Sequence, residues 1–197
     1  MNYQSRLQLL VQTWGQERIK FDEKLADHTF SKLGGPAEAF FVATNESELV
    51  KMLDMIDELK VPYLMLGAGT KSVFSDRGVN GLVIKNRTSI TRVVGIKGKV
   101  GKGNIGIDTA TIEVSSGVSL GKLNEFLKEQ GLEQINFETS EIATVGSSVF
   151  IDQNLRLVVE KIRIWEQREV EEVGLPELNR HRQVVLSVII RVKAASI

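Results

Sequence analysis

The chain has 197 residues, 42% of them hydrophobic and 25% charged, the make-up of a soluble globular protein with one ordinary domain or two small ones. Its 25 basic and 25 acidic residues cancel, so the charge balance points to neither nucleic acid nor an anionic membrane surface. With no cysteine and only two histidines, His28 and His181, the chain can form no disulfide, no thiolate or histidine-rich metal centre and no cysteine nucleophile. The run Leu7 to Val11 is too short for a signal core, and no apolar run reaches the roughly 20 residues of a membrane helix. A cytoplasmic protein without a metal is the expectation.

In chain order, residues 2–18 carry Leu7, Leu9, Leu10, Val11 and Trp14 near helical spacing and predict a short amphipathic helix. Gly34-Gly35-Pro36 is a turn, and Ala37 to Val42 a strand. Asn45 caps a helix whose apolar stripe is Leu49, Met52, Leu53, Ile56 and Leu59, with Pro62 beyond its end. Tyr63 to Leu66 reads as a buried strand, so residues 37–66 form a βαβ unit. Gly81 to Lys85 is a third strand. Strands over Ile90 to Ile96 and Ile105 to Val114 flank the connector Lys97 to Asn104, which has three lysines, three glycines and no acid. That connector reads as a solvated hairpin tip, with phosphate contact as the alternative. Ser119 caps a helix through Gln130, ended by Gly131. Leu155 to Glu166 and Gln183 to Lys193 read as closing strands, and the charged stretch Glu166 to Arg182 between them as a surface connection.

The loop after Leu66 runs Gly67-Ala68-Gly69-Thr70-Lys71-Ser72. Ligands of βαβ units gather at the carboxyl ends of strands. Glycines there let the backbone approach a ligand, and successive exposed N–H groups make an anion-binding concavity. Thr70 and Ser72 add hydroxyl donors, and Lys71 a positive charge. Gly-x-Gly after a strand is also the pattern of an ordinary turn. Neither the dinucleotide fingerprint nor the P-loop spacing is met, so the surrounding loops decide.

Three loops taken together carry a resemblance. They are Thr29-Phe30-x-x-Leu33-Gly34-Gly35-Pro36-Ala37, then Leu66-Gly67-x-Gly69-Thr70-Lys71-x-Val73 with Asp76 and Gly78, then Thr144-Val145-Gly146-Ser147-Ser148. In this order the chain resembles the UDP-N-acetylenolpyruvoylglucosamine reductase (MurB) family, flavin enzymes that make UDP-N-acetylmuramate for peptidoglycan. The resemblance is good from about Asp27 to Val149 and weaker beyond. It implies an α+β fold of the two-lobed MurB/PCMH FAD-binding type. The expected parts are an N-terminal helix over 1–19, a first lobe over 20–86 and a second over 87–197. It implies FAD as cofactor, its pyrophosphate on Gly67, Ala68, Gly69, Thr70, Lys71 and Ser72. Thr144, Val145, Gly146, Ser147 and Ser148 would line the flavin and adenosine side. NADPH, a sugar nucleotide and a protein partner or second copy are the further partners it allows.

The departures are as informative. Thr70-Lys71 stands where the family has a serine-asparagine pair, and Ile142-Ala143 where it has Pro-Gly. The family's proton-donating serine, in a Gly-Ser-Phe-Phe context, and its assisting glutamate have no counterpart here, nor does its substrate-binding domain. The catalytic residues are therefore unassigned. Glu138, Glu141 and Asp152 are replacement acids only if they escape the usual fate of a loop carboxylate, which is solvation. Glu169, Glu171 and Glu172 read as a solvated turn, Trp14 and Trp165 as core or interface residues, and His28 as a cap or packing residue. Three readings stay open: an FAD-binding domain not competent alone for the full reduction, a module that keeps the fold, has lost FAD and serves in binding or scaffolding, or an active reductase for a different, smaller acceptor.

Overall fold

The computed structural model describes residues 3–100 and 105–195, so part of the expected connector, 101–104, lies outside the described residues. The chain divides into two compact units, Met1–Thr88 and Ser89–Ile197.

The first unit runs α1 (Tyr3–Trp14), β1 (Ile19–Lys24), a 3-10 turn (Leu25–His28), β2 (Pro36–Ala43), α2 (Glu46–Leu59), β3 (Tyr63–Leu66) and β4 (Val79–Asn86). The first helix stops four residues before the expected end. Gly15 N–H closes it on the Val11 carbonyl at 2.8 Å, and the chain then enters the sheet as β1, an element absent from the expectation. In α2 the Asn45 side chain accepts from Glu48 N–H at 2.9 Å, and Glu46 and Glu48 place negative charge in the first turn. Leu49, Met52, Leu53 and Ile56 form its buried stripe.

The sheet order is β1-β2-β4-β3, with β1 antiparallel to β2 and the other pairs parallel. β3 is thus an edge strand and not the buried strand expected. Tyr63 is exposed and Leu64 and Met65 are half-buried, because β4 takes the central place. Since β3 and β4 point the same way, residues 67–78 must carry the chain back along the sheet. They cross the face that bears Phe40, Leu66 and Val83, where Phe74 and Leu25 pack on that cluster. The alternate residue Phe41 meets Trp14 of α1 edge-on, ring centroids 4.7 Å apart.

The second unit runs β5 (Thr91–Val100), β6 (Ile105–Ser115), α3 (Leu120–Glu129), α4 (Val145–Ser148), α5 (Gln153–Val158), β7 (Val159–Glu166), β8 (Glu169–Val173), a 3-10 turn (Leu175–Glu177) and β9 (Val184–Lys193). Its antiparallel sheet has the order β5-β6-β9-β7-β8. The core holds Ile112, Val114, Ile162, Val188 and Ile190 with Leu120, Leu123, Leu127 and Leu155. Glu113, at an alternate position of β6, accepts from Arg92 Nη2 at 2.6 Å and Ser187 Oγ at 3.3 Å, with Arg163 Nη1 3.5 Å away.

Three expectations are corrected here. Residues 155–158 belong to α5, not to a strand, because Asp152 caps that turn by accepting Leu155 N–H at 2.9 Å. The stretch 166–182 is not a plain connection. It contains β8, whose Glu172 pairs with Lys161 of β7 at 2.8 Å, so Glu169, Glu171 and Glu172 lie on a strand rather than in a turn. Residues 145–148 are one helical turn, not a loop.

Asp152 is fully buried. Its Oδ2 accepts from Glu138 N–H, Thr139 N–H and Thr139 Oγ1 at 2.8–2.9 Å. Burial pushes the carboxyl up, but the hydrogen bonds from Leu155, Thr139 and Glu138 outweigh it and hold the group below the ordinary aspartate value. A depressed folded pKa stabilises fully above the unfolded value, and the contribution is lost as pH falls through the folded value. Asp152→Asn should therefore cost about 2–3 kcal/mol at neutral pH. Urea melts should show the gap between variant and parent narrowing as the pH is lowered below about 4.

Candidate functional site

The residues that the resemblance assigns to the cofactor fall in two short segments, one in each unit. In the first unit, the turn after β3 is pinned to the segment that follows the 3-10 turn. Phe30 N–H donates to the Gly69 carbonyl at 3.1 Å. Gly69 has φ +74°, and a Cβ there would run into the His28 carbonyl and lie 2.9 Å from Thr29 Cα. Only glycine tolerates both the left-handed backbone and so close a chain. Thr29 is buried and donates its hydroxyl to the Leu33 carbonyl at 2.9 Å, while Ala26 N–H and Leu25 N–H reach the Gly34 and Gly35 carbonyls at 3.2 and 3.1 Å. Gly35 N–H in turn donates to the Ser75 carbonyl at 3.0 Å. The Thr29–Pro36 and Gly67–Gly78 motifs are therefore one object, two backbone segments laid against each other.

Among the described residues, no carbonyl or side chain accepts from the amides of Gly67, Ala68, Gly69, Thr70, Lys71 or Ser72. Gly67, Ala68, Thr70 and Ser72 are half-buried, Gly69 is buried and Lys71 is exposed. Successive unengaged N–H groups are the kind of donor an anion uses. Lys85 of β4 pairs in register with Leu66, the residue that leads into the turn. Lys85 is 8% exposed, and its Nζ donates to the His28 carbonyl at 3.3 Å. Burial, together with the charge of Arg87, pushes its ammonium down from the ordinary lysine range. His28 stacks on Phe40 with centroids 4.4 Å apart, and its Nε2 lies 2.9 Å from Glu23 Oε1, so it does act in packing.

The second segment is built differently. Val145 N–H donates to Val118 O at 2.8 Å and Gly146 N–H to Ser116 O at 2.9 Å, while Ser147 and Ser148 N–H turn back to Thr144 O. A Cβ on Gly146 would come within 2.7 Å of Ser116 Cβ, so this glycine lets the turn lie flat against the link between β6 and α3. Thr144, Val145 and Ser148 are buried, Gly146 is half-buried and Ser147 is exposed. Ser147 Oγ donates to Thr144 O at 2.9 Å, and Ser148 Oγ accepts from Thr139 Oγ1 at 3.3 Å. All four amides from Val145 to Ser148 are thus occupied within the protein.

Of the replacement acids, Asp152 is buried rather than solvated, and its carboxylate is engaged by Glu138, Thr139 and Leu155. Glu138 and Glu141 are exposed. No group of three or more histidine or carboxylate residues among the described residues could hold a metal. Lys85, which the sequence shows only as the end of a strand, is the residue near the first turn that spacing alone did not single out. Gly69→Ala should destabilise the fold by about 1–3 kcal/mol, since the added methyl meets backbone and the positive φ is retained. Urea melts read that loss directly.

The fold and loops match known proteins. The model of the FAD binding domain family matches residues 37–151. UDP-N-acetylenolpyruvoylglucosamine reductase 2 of Symbiobacterium thermophilum is 28% identical over 174 residues, covering 85% of this chain and 52% of that protein. Reductase 1 of Bacillus cereus is 28% identical over 137 residues, covering 68% of this chain and 41% of that one. The chain spans about half the length of the curated relatives it matches. Among solved structures, UDP-N-acetylenolpyruvylglucosamine reductase (MurB) from Thermus caldophilus superposes with a TM-score of 0.65 at 18% identity over 91% of this chain and 64% of that one. p-Cresol methylhydroxylase gives 0.62 at 12% over 98% and 44%. These neighbours establish an α+β fold of the MurB and p-cresol methylhydroxylase type. The matched region begins in β2, takes in the Gly67–Ser72 turn and ends just past α4: the chain belongs to the FAD binding domain family, and FAD is its cofactor.

Proposed function

We propose that this chain is the FAD-holding part of a flavin-dependent oxidoreductase of the UDP-N-acetylenolpyruvoylglucosamine reductase type, working in the cytoplasm in peptidoglycan precursor synthesis. The open run of amides from Gly67 to Ser72 is the observation that carries this reading. A diphosphate needs several donors and no bulky wall, and six unengaged amides in a run of small residues suit it. Thr70 and Ser72 add hydroxyls at the same place, and Lys71 adds charge from the solvent side.

Of the second segment, Gly146 and Ser147 have surface to give to a cofactor. Thr144, Val145 and Ser148 act by shaping the turn, through the hydrogen bonds that close it. When bound, FAD supplies hydride chemistry. A reductase of this type also needs a placed acid. In this reading the acid, the binding of the enolpyruvyl sugar nucleotide and the access of NADPH are provided by protein beyond these residues. The support is that this chain spans about half the length of its relatives, and that Glu138 and Glu141 are exposed while Asp152 is engaged in structural hydrogen bonds.

The test is spectroscopic first and kinetic second. The purified chain should carry, or take up on titration, a stoichiometric flavin with a resolved visible spectrum. Mixed with NADPH and UDP-N-acetylenolpyruvoylglucosamine it should show no turnover alone. Absence of binding at saturating FAD would favour the binding-module reading. Turnover by the isolated chain would overturn the division of labour.

A further inference from the structure

A lysine is seldom fully buried without a carboxylate partner, because removing an ammonium from water is costly unless something compensates. Lys85 is 8% exposed, and among the described residues it makes no ion pair. One carbonyl, that of His28 at 3.3 Å, serves an ammonium with three donors. That same carbonyl is the atom a Cβ on Gly69 would strike, so the ammonium and Gly69 of the turn both approach a single oxygen. The position is fixed by register. Lys85 lies opposite Leu66, the last residue of β3, on the face of the sheet that residues 67–78 cover. A buried positive charge thus sits where the chain also gathers six unengaged amides.

We propose that Lys85 is the fixed counter-charge of this turn, and that it makes the site select flavins carrying a diphosphate over flavins that lack one. This rests on the reading of the Gly67–Ser72 turn as the FAD diphosphate site. The bound diphosphate supplies the negative charge that the protein withholds from Lys85. The lysine acts through space and by holding the His28 carbonyl against which Gly69 lies, so it is a positioning residue. Lys71 lies in solvent, where its charge is screened and its side chain is free to move. Lys85 is held in a low-dielectric setting, where the same charge acts more strongly.

The experiment compares FAD and riboflavin binding, by quenching of flavin fluorescence, in the parent chain, Lys85→Met and Lys85→Arg. Lys85→Met should lose at least about tenfold in FAD affinity with riboflavin binding unchanged, and Lys85→Arg should recover most of the loss. A folded Lys85→Met that keeps FAD affinity within about twofold, or loses FAD and riboflavin equally, overturns the inference. Should Lys85→Met not fold, the parent chain decides by NMR. The Lys85 Nζ resonance, assigned through Lys85→Arg, should shift with FAD and with ADP-ribose but not with riboflavin. No shift with FAD overturns the inference. Failure of the parent chain to bind FAD at all overturns both readings, whereas FAD binding indifferent to Lys85 overturns this one alone.

Discussion

Two neighbouring strands that point the same way impose a debt on the chain between them. Residues 67–78 leave the carboxyl end of β3 and must reach the amino end of β4, which lies beside it. They can do so only by crossing a face of the sheet. That crossing covers Phe40, Leu66 and Val83 and brings the chain against the Leu25–Pro36 segment. The close approach at Gly69 follows, and so does the run of amides from Gly67 to Ser72 that finds no acceptor among the described residues.

The second unit meets a similar requirement in the opposite way. Its turn uses all four amides from Val145 to Ser148 internally, two of them on Val118 and Ser116. The turn is fastened further by Asp152, which gathers the 138–139 segment and the start of α5 around one buried carboxylate. A rigid surface results, with Ser147 standing clear of it. One motif offers donors, the other offers shape, although both read as small-residue loops in the sequence.

Much of the architecture was legible. Asn45 and Ser119 marked helix starts because a side-chain oxygen before an apolar stripe has one dominant use. The family was legible because three loops recurred together, and the hydrogen bond from Phe30 to Gly69 shows why the first two travel as a pair. The edge strands were not legible. β1 reads IKFDEK and β8 reads EVEEV, with too few buried positions to leave an alternating pattern. The helix after Asp152 was hidden by an apolar run that suits a strand equally well. Which amides remain free is a property of tertiary pairing and has no signature in residue types. Lys85 was hidden for the same reason: a lysine at a strand end reads as solvated until the chain folds over it.

The central claim is that the amides of Gly67 to Ser72, and not those of Val145 to Ser148, receive the cofactor's diphosphate. Backbone amide resonances followed during titration with ADP-ribose test it most directly, because that ligand carries the diphosphate without the flavin. The account predicts large shifts confined to residues 67–72 and their Lys85 neighbourhood, with the 145–148 amides unmoved. Shifts centred on 145–148, with 67–72 silent, would contradict it.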